Sequence, residues 1–333
     1  MKVSLSQVRQ TLTEIYTATG AAPQDVALLV DMALDIDLRK NTFSGIVEID
    51  WDVKELKESR EKRYWVEVDL PAVKLINGGG RSARLIGREM VDMVCRMART
   101  QGIAIVGLYN STYHFAMEYY ARRIACEDLI GIVSANCEPS GVTPHNGSRP
   151  VTGTNPLAYG VPTSGLPIVF DAATSQFPYG TISLAKQNGS VLPESSYVDA
   201  DGNFTTDPHK AIGIIPFGGH RGYAINLMLE VLTGVLVRAK MGLQSQGEQD
   251  LGSMMIAINP AAFQPLEQFK TQMTQLVKDI EGTSPLLGNR PIRVPGYRSE
   301  EEKQRMIKDD CVEMSEETWT KYQELVKKHM SVL

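Results

Sequence analysis

Pro216–Gly234, PFGGHRGYAINLMLEVLTG, decides how the rest of the chain is read. It opens with two glycines, a histidine and an arginine and runs directly into the most apolar segment of the protein, 222–237. Glycines let backbone approach a ligand closely, and a guanidinium grips phosphate oxygens at two points, so the first half suits an anion. The second half is short for a bilayer span and carries Asn226 and Glu230, which predicts a buried helix.

Upstream lie short β-prone runs at 103–109 (IAIVGLY), 129–135 (LIGIVSA), 157–163 (LAYGVPT) and 167–173 (PIVFDAA). The helix-like FAMEYYARRIACED separates the first two. Gly78–Gly80 mark a turn before a helix over 82–102. Near the start, Val8, Leu12, Ile15 and Tyr16 recur at helical spacing after Ser4 or Ser6, with Gly20 as a stop; Pro23 then opens a second helix. Apolar stripes at Phe263–Ile280 and Trp319–Val326 read as core faces of two late helices. The pattern predicts an α/β unit over 71–229 and a helical unit built from 1–70 and about 230–333.

With 43% hydrophobic and 22% charged residues in 333, the chain has enough apolar material for a large core. A net charge of −5 supplies no basic field for nucleic acid, which leaves small-molecule chemistry as the expectation. Four scattered cysteines and a beginning without a signal peptide's apolar core fit a cytoplasmic, reducing setting, with no membrane partner.

No GxGxxG, Walker loop, HExxH or GxSxG occurs, so the common dinucleotide, nucleotide, zinc and serine-hydrolase signatures are absent and no metal site is expected. Four polar clusters beside predicted strands remain: NSTYHF (110–115), GTNP (153–156), DAATSQFPYG (171–180) and PFGGHRGY (216–223). GTNP is compatible with a plain turn or with a turn offering N–H groups to a ligand. Asp171 either caps AATSQ or orients a base or substrate. His114 is either a hydrogen-bonded core histidine or a catalytic one.

In order, YHF, GTNPLAYGVP, DAATS, LPESSYVDADGNFTTDP and PFGGHRGYAINLMLEVLTG resemble the malate/L-lactate dehydrogenase family from about residue 3 to the end. The family's elements are NHFG, GTNP, DMATS, GGxKG and a late PGE, which RVPGYRSE (293–300) matches in part. The resemblance implies an α/β fold that is not the usual doubly wound one, which accounts for the missing GxGxxG. It also implies NADH or NADPH as cofactor and a homodimer in which helices from both chain ends pack together. Cofactor contacts are implied at Gly153, Thr154, Asn155, Asp171, Ala172, Ala173, His220 and Arg221, and more weakly at Gly296 and Tyr297. Arg221 stands for the family lysine, and Tyr297 for the glutamate after PG.

The segment after the second helix, DLRKNTFSGIVEID (37–50), departs from the family's DxRGxxSHGVxR. Asp37, Arg39 and Gly45 match it, whereas Phe43 stands for the serine, Ser44 for the proton-donating histidine and Glu48 for the arginine that meets a substrate carboxylate. Losing a general acid costs roughly 10²- to 10⁴-fold in rate, and a glutamate repels what the arginine attracts. Three readings follow. One is hydride transfer to an imine, which arrives with its own proton and which Glu48 stabilises. Another is a non-net-redox lyase or isomerase on the same scaffold, and the third a weakly catalytic binding paralogue. The catalytic candidates are His114, Asp171, Ser44 and Glu48.

Overall fold

The computed structural model describes residues 1–40, 45–137, 141–245, 247, 249–288 and 290–331. β1 (Lys2–Ser4) leads into α1 (Leu5–Thr17), whose first turn is capped by the Ser4 hydroxyl accepting from the Gln7 amide. α2 (Pro23–Leu38) begins on a proline, whose missing N–H costs nothing there; α3 (Ile49–Ser59) follows a single 3-10 turn at Ile46–Glu48. Then come β2 (Trp65–Asp69), β3 (Val73–Asn77), α4 (Ala83–Gln101), β4 (Ile103–Ser111) and α5 (Glu118–Cys126). β5 (Ile130–Ala135), β6 (Leu157–Val161) and β7 (Ile168–Ala172) are followed by a small lobe of α6 (Gly180–Asn188), β8 (Tyr197–Val198) and β9 (Gly213–Ile214). α7 (His220–Glu230), β10 (Leu251–Ile258), α8 (Leu266–Glu281), α9 (Tyr297–Lys308), β11 (Cys311–Glu313) and α10 (Glu316–Met330) come last.

Seven strands form one mixed sheet in the order β2-β3-β4-β10-β5-β6-β7. Among the described residues of this sheet only β3 and β4 pair in parallel, and α4 supplies the crossover that a parallel pair needs. Its centre, β10, comes from the stretch expected to be helical: Leu251 to Met255 are all buried, so the strand lacks the alternation that marks a half-exposed one. One continuous core joins the sheet to α4 and α5 and, beyond them, to α1, α2, α3, α9 and α10, with Tyr16, Leu29, Ile49, Met90, Val106, Tyr120 and Met306 all buried. The two chain ends meet in a strand pair of their own, Lys2 opposite Glu313 and Val3 opposite Val312.

α7 is not the buried helix its apolarity predicts. Across α7 and the turn that follows it, Asn226, Glu230 and Thr233 are buried beside Leu229, while Leu227, Met228, Val231, Val235 and Leu236 are 43–60% exposed. The buried polar residues recur three to four apart and face protein, so most of the apolar ones are turned outward. α8 behaves similarly: Val277 is buried, but Phe263, Leu276 and Ile280 are exposed, so that stripe is only partly core. No helix among the described residues is long and apolar enough to cross a membrane.

Candidate active site

The altered segment is held at both shoulders. Asp37 is buried and accepts from the Ile46 amide at 2.5 Å; it lies so close to Gly45 that a Cβ there would sit 1.8 Å from its carboxylate oxygen. Burial pushes the Asp37 carboxyl up to about 7, partly offset by that amide. Arg39 pairs with Asp35 at 3.1 Å and with Glu300 of α9 at 2.6 Å. The three residues that keep the motif therefore anchor the described backbone on either side of 41–44, and the changed ones lie between or beyond them in sequence. Phe43 and Ser44 are outside the described residues. Glu48 is half-buried at the end of the 3-10 turn, and burial raises its carboxyl; Lys321 and Arg84 pull it down, Asp52 and Asp50 push it up.

Behind this turn lies an ionic cluster that sequence reading did not identify. Arg84 of α4 is buried between Asp52 at 2.5 Å and Glu55 at 2.8 Å, both on α3. Tyr16 donates to Asp52, while Thr112 and Ser82 donate to Glu55, the latter at 2.6 Å. The Arg84 guanidinium also lies over the Phe115 ring at 4.7 Å, and Phe115 closes an aromatic triangle with Trp51 and Tyr113. Two contacts thus grip the segment around His114, through Thr112 and Phe115. The side chains that bond to Asp52 and Glu55 come from 27 or more residues away, so no local motif announces the cluster.

His114 is 2% exposed; its Nε2 lies 2.7 Å from the Ser253 hydroxyl of β10, and the Tyr120 ring stands edge-on at 5.2 Å. Burial first, then the nearby Arg84 charge, drives its imidazole down to about 3, so it is neutral at physiological pH. Nδ1 is buried without a hydrogen-bond partner among the described residues. Asp171 is not His114's hydrogen-bond partner. Its carboxylate accepts from the Glu118 amide at 3.0 Å and so caps α5, a different helix from the AATSQ segment that local sequence suggests. Burial raises the Asp171 carboxyl to about 7 although backbone donors at the start of α5 oppose it. Because α5 begins four residues after His114, both candidates sit at one corner of the sheet.

The GTNP turn is tied to α7. Asn226 Nδ2 donates to the Gly153 carbonyl at 2.9 Å and to the Thr174 hydroxyl at 2.8 Å, and Thr174 donates to the Thr154 carbonyl at 2.7 Å. Asn155, fully buried at φ +33°, donates to Glu230 at 2.6 Å and accepts from the Cys137 amide at 3.1 Å. Its side chain is thus engaged by protein, leaving the backbone and Thr154 as the turn's available surface. Ala172 and Ala173 continue β7 toward Thr174 and so reach the same turn. At the other end of α7, Gly219 caps the helix at φ +66°, and a Cβ on Gly222 would meet the Phe217 carbonyl at 2.1 Å. His220 and Arg221 are exposed there, and His220 faces His145 with ring centroids 5.9 Å apart. Gly296 and Tyr297 lie against β7 instead: Pro295 accepts from the Val169 amide, and the Tyr297 hydroxyl donates to Leu166 at 3.0 Å. Leu166 precedes Asp171 by five residues, roughly 16 Å of extended chain, so the tyrosine hydroxyl is far from the Asp171 corner.

A helix start with a glycine cradle and an arginine fits a dinucleotide's phosphates, and the adjacent corner of buried titratable groups fits proton transfer; together with the mixed sheet they define a dehydrogenase or reductase outside the doubly wound class. Residues 3–323 match the family model of malate/L-lactate dehydrogenase, and the chain belongs to that family. It is an enzyme of this group of dehydrogenases and reductases. It is 32% identical over 309 residues to the malate/(S)-sulfolactate dehydrogenase of Methanothermus fervidus, spanning 90% of this chain and 89% of that one. It is 31% identical over 247 residues to the Δ1-pyrroline-2-carboxylate/Δ1-piperideine-2-carboxylate reductase of Pseudomonas putida, covering 71% and 70%. The solved sulfolactate dehydrogenase of Methanocaldococcus jannaschii superposes with a TM-score of 0.87 at 26% identity, over 99% of this chain and 97% of that one.

Proposed function

We propose that this enzyme uses NADH or NADPH to reduce a C=N bond, or a related carbonyl, in a small molecule that presents positive charge where its relatives' substrates present a carboxylate. Glu48 carries this reading. The resemblance assigns that position to an anion clamp, and here a half-buried carboxyl stands instead, with Lys321 and Arg84 opposed by Asp52 and Asp50 around it. A 2-oxo acid would bring like charge against it, whereas a protonated imine offsets the unfavourable burial of Glu48. The similarity to a reductase of cyclic imines supports the C=N part of this reading.

The nicotinamide, when bound, supplies the hydride. Arg221, His220 and the Gly219 cap would hold its phosphates, and Thr154 with the backbone of the GTNP turn from Gly153, Ala172 and Ala173 its remainder, Asn155 shaping that turn from within and Gly296 and Tyr297 lying more peripherally. An iminium brings the proton that an alkoxide product would have to be given, which reduces the need for a histidine at Ser44. Any remaining proton transfer falls to Asp171, whose carboxyl near 7 both holds and releases a proton near neutrality, more readily than to the neutral, enclosed His114. The enzyme works as a homodimer, a second copy covering the outward apolar face of α7. Four cysteines without disulfides suit a cytoplasmic setting.

The test is turnover of cyclic and open-chain imines against a panel of 2-oxo acids, with each cofactor, followed by loss of the reduced nicotinamide's absorbance. Imine-dependent oxidation supports the proposal; efficient reduction of 2-oxo acids with no imine turnover ends it.

A further inference from the structure

We propose that Glu230 is the positioning residue that locks the GTNP turn to α7, so that the two halves of the cofactor site form one rigid body. The inference rests on the reading that this turn and the start of α7 meet the dinucleotide.

Glu230 belongs to none of the four polar clusters and lies ten residues from His220 along the helix. Its buried carboxylate accepts from Asn155 Nδ2 at 2.6 Å through one oxygen and from the Gly242 amide at 2.7 Å through the other. Asn155 needs such a partner. It is fully buried in left-handed backbone, a conformation that persists in a residue other than glycine only where its surroundings impose it. Its Oδ1 is taken by the Cys137 amide, so Glu230 fixes the opposite end of the same amide group. One turn earlier, Asn226 holds Gly153 and Thr174, which leaves the turn pinned on both sides by one face of α7.

The backbone accounts for how an apolar helix presents that face. Directly after Glu230 the chain makes a π turn, Val231–Val235, with the Leu236 amide bonded to the Val231 carbonyl at 2.9 Å. The wider turn brings Glu230 and Thr233 inward together while Val231, Val235 and Leu236 face out. Movement of the turn relative to the arginine-bearing helix start would require breaking charge-assisted bonds in a buried site, where they are strongest.

The experiment is an exchange of partners, read by titrating NADH and NADPH into the full-length protein and following cofactor fluorescence well below the melting temperature. Glu230→Gln puts an NH₂ group against either Asn155 or the Gly242 amide; Asn155→Asp puts two carboxylates face to face. Each single variant is expected to weaken dinucleotide binding roughly 10- to 100-fold. In the double variant the new amide donates to the new carboxylate and still accepts from Gly242, so binding should return to within about fivefold of wild type. A merely structural role would lower the melting temperature of the variants and leave the affinity of the folded protein unchanged. Singles that bind like wild type, or a double variant no better than the weaker single, overturn the lock. Wild-type protein that binds neither dinucleotide overturns the cofactor reading itself, and with it any role of the lock in cofactor binding.

Discussion

Replacing Asp171 by asparagine should stabilise the protein in alkaline solution and slow whatever proton transfer its turnover still requires. The carboxyl is raised from the ordinary 3.8 to about 7 because it is enclosed. Below pH 3.8 both folded and unfolded chains carry the proton, and the group is neutral to stability. Between 3.8 and 7 the unfolded chain loses its proton while the folded one keeps it, so rising pH erodes stability until the folded carboxyl ionises as well. At 1.36 kcal/mol per pKa unit, the penalty amounts to about 1.6 kcal/mol at pH 5 and about 4 kcal/mol at pH 8. Asparagine retains an acceptor for the Glu118 amide but has nothing to ionise. Its advantage over wild type should therefore be about 2–3 kcal/mol larger at pH 8 than at pH 5. Urea denaturation of both proteins at the two pH values measures the difference through the midpoint, provided the slopes agree. An advantage that does not change with pH would show that Asp171 ionises freely in the folded protein, and would remove it as the group poised for proton transfer near neutrality.

Three other outcomes follow from the same geometry. Met228→Glu with Leu236→Glu should convert a dimer to monomers in analytical ultracentrifugation while leaving the circular dichroism spectrum intact, since both side chains are more than half exposed in the single chain. Arg84→Leu leaves Asp52 and Glu55 buried without their cation and should cost about 3–5 kcal/mol of unfolding free energy, a loss that shrinks in acid as the Asp52 carboxyl, already raised by burial, takes up a proton. Ser44→His combined with Glu48→Arg should restore measurable reduction of 2-oxo acids; a double variant that binds cofactor yet is inert toward all of them would refute the gap-free alignment of 37–50.

How much of this was legible depended on whether the signal was local. Strands expected at 103–109, 129–135, 157–163 and 167–173 lie within a residue or two of β4, β5, β6 and β7, because each is a short apolar run ended by a turn. Ser4, Pro23 and the helix over 82–102 were readable for the same reason: caps and periodicity act within a few residues. β10 gave no such cue, since Gly252, Ser253 and two methionines are poor strand formers and the strand is chosen by its neighbours. The character of α7 was misread because mean apolarity says how greasy a helix is, but not which side of it touches protein. At the site, the ordered motifs identified the family and with it the fold. They did not reveal that Asp171 caps α5, that Ser253 is His114's partner or that Arg84 is flanked by two carboxylates, since those contacts join residues 29 to 139 positions apart.

The late arrival of β10 governs how the molecule can be made. β4 and β5 each pair with it, yet more than a hundred residues separate them from it along the chain. During synthesis both therefore emerge with bare edges facing a slot that nothing yet fills, and such edges invite a neighbouring nascent chain. Closing the sheet must wait for Leu251 onward to enter between β4 and β5, a long-range closure that slows folding.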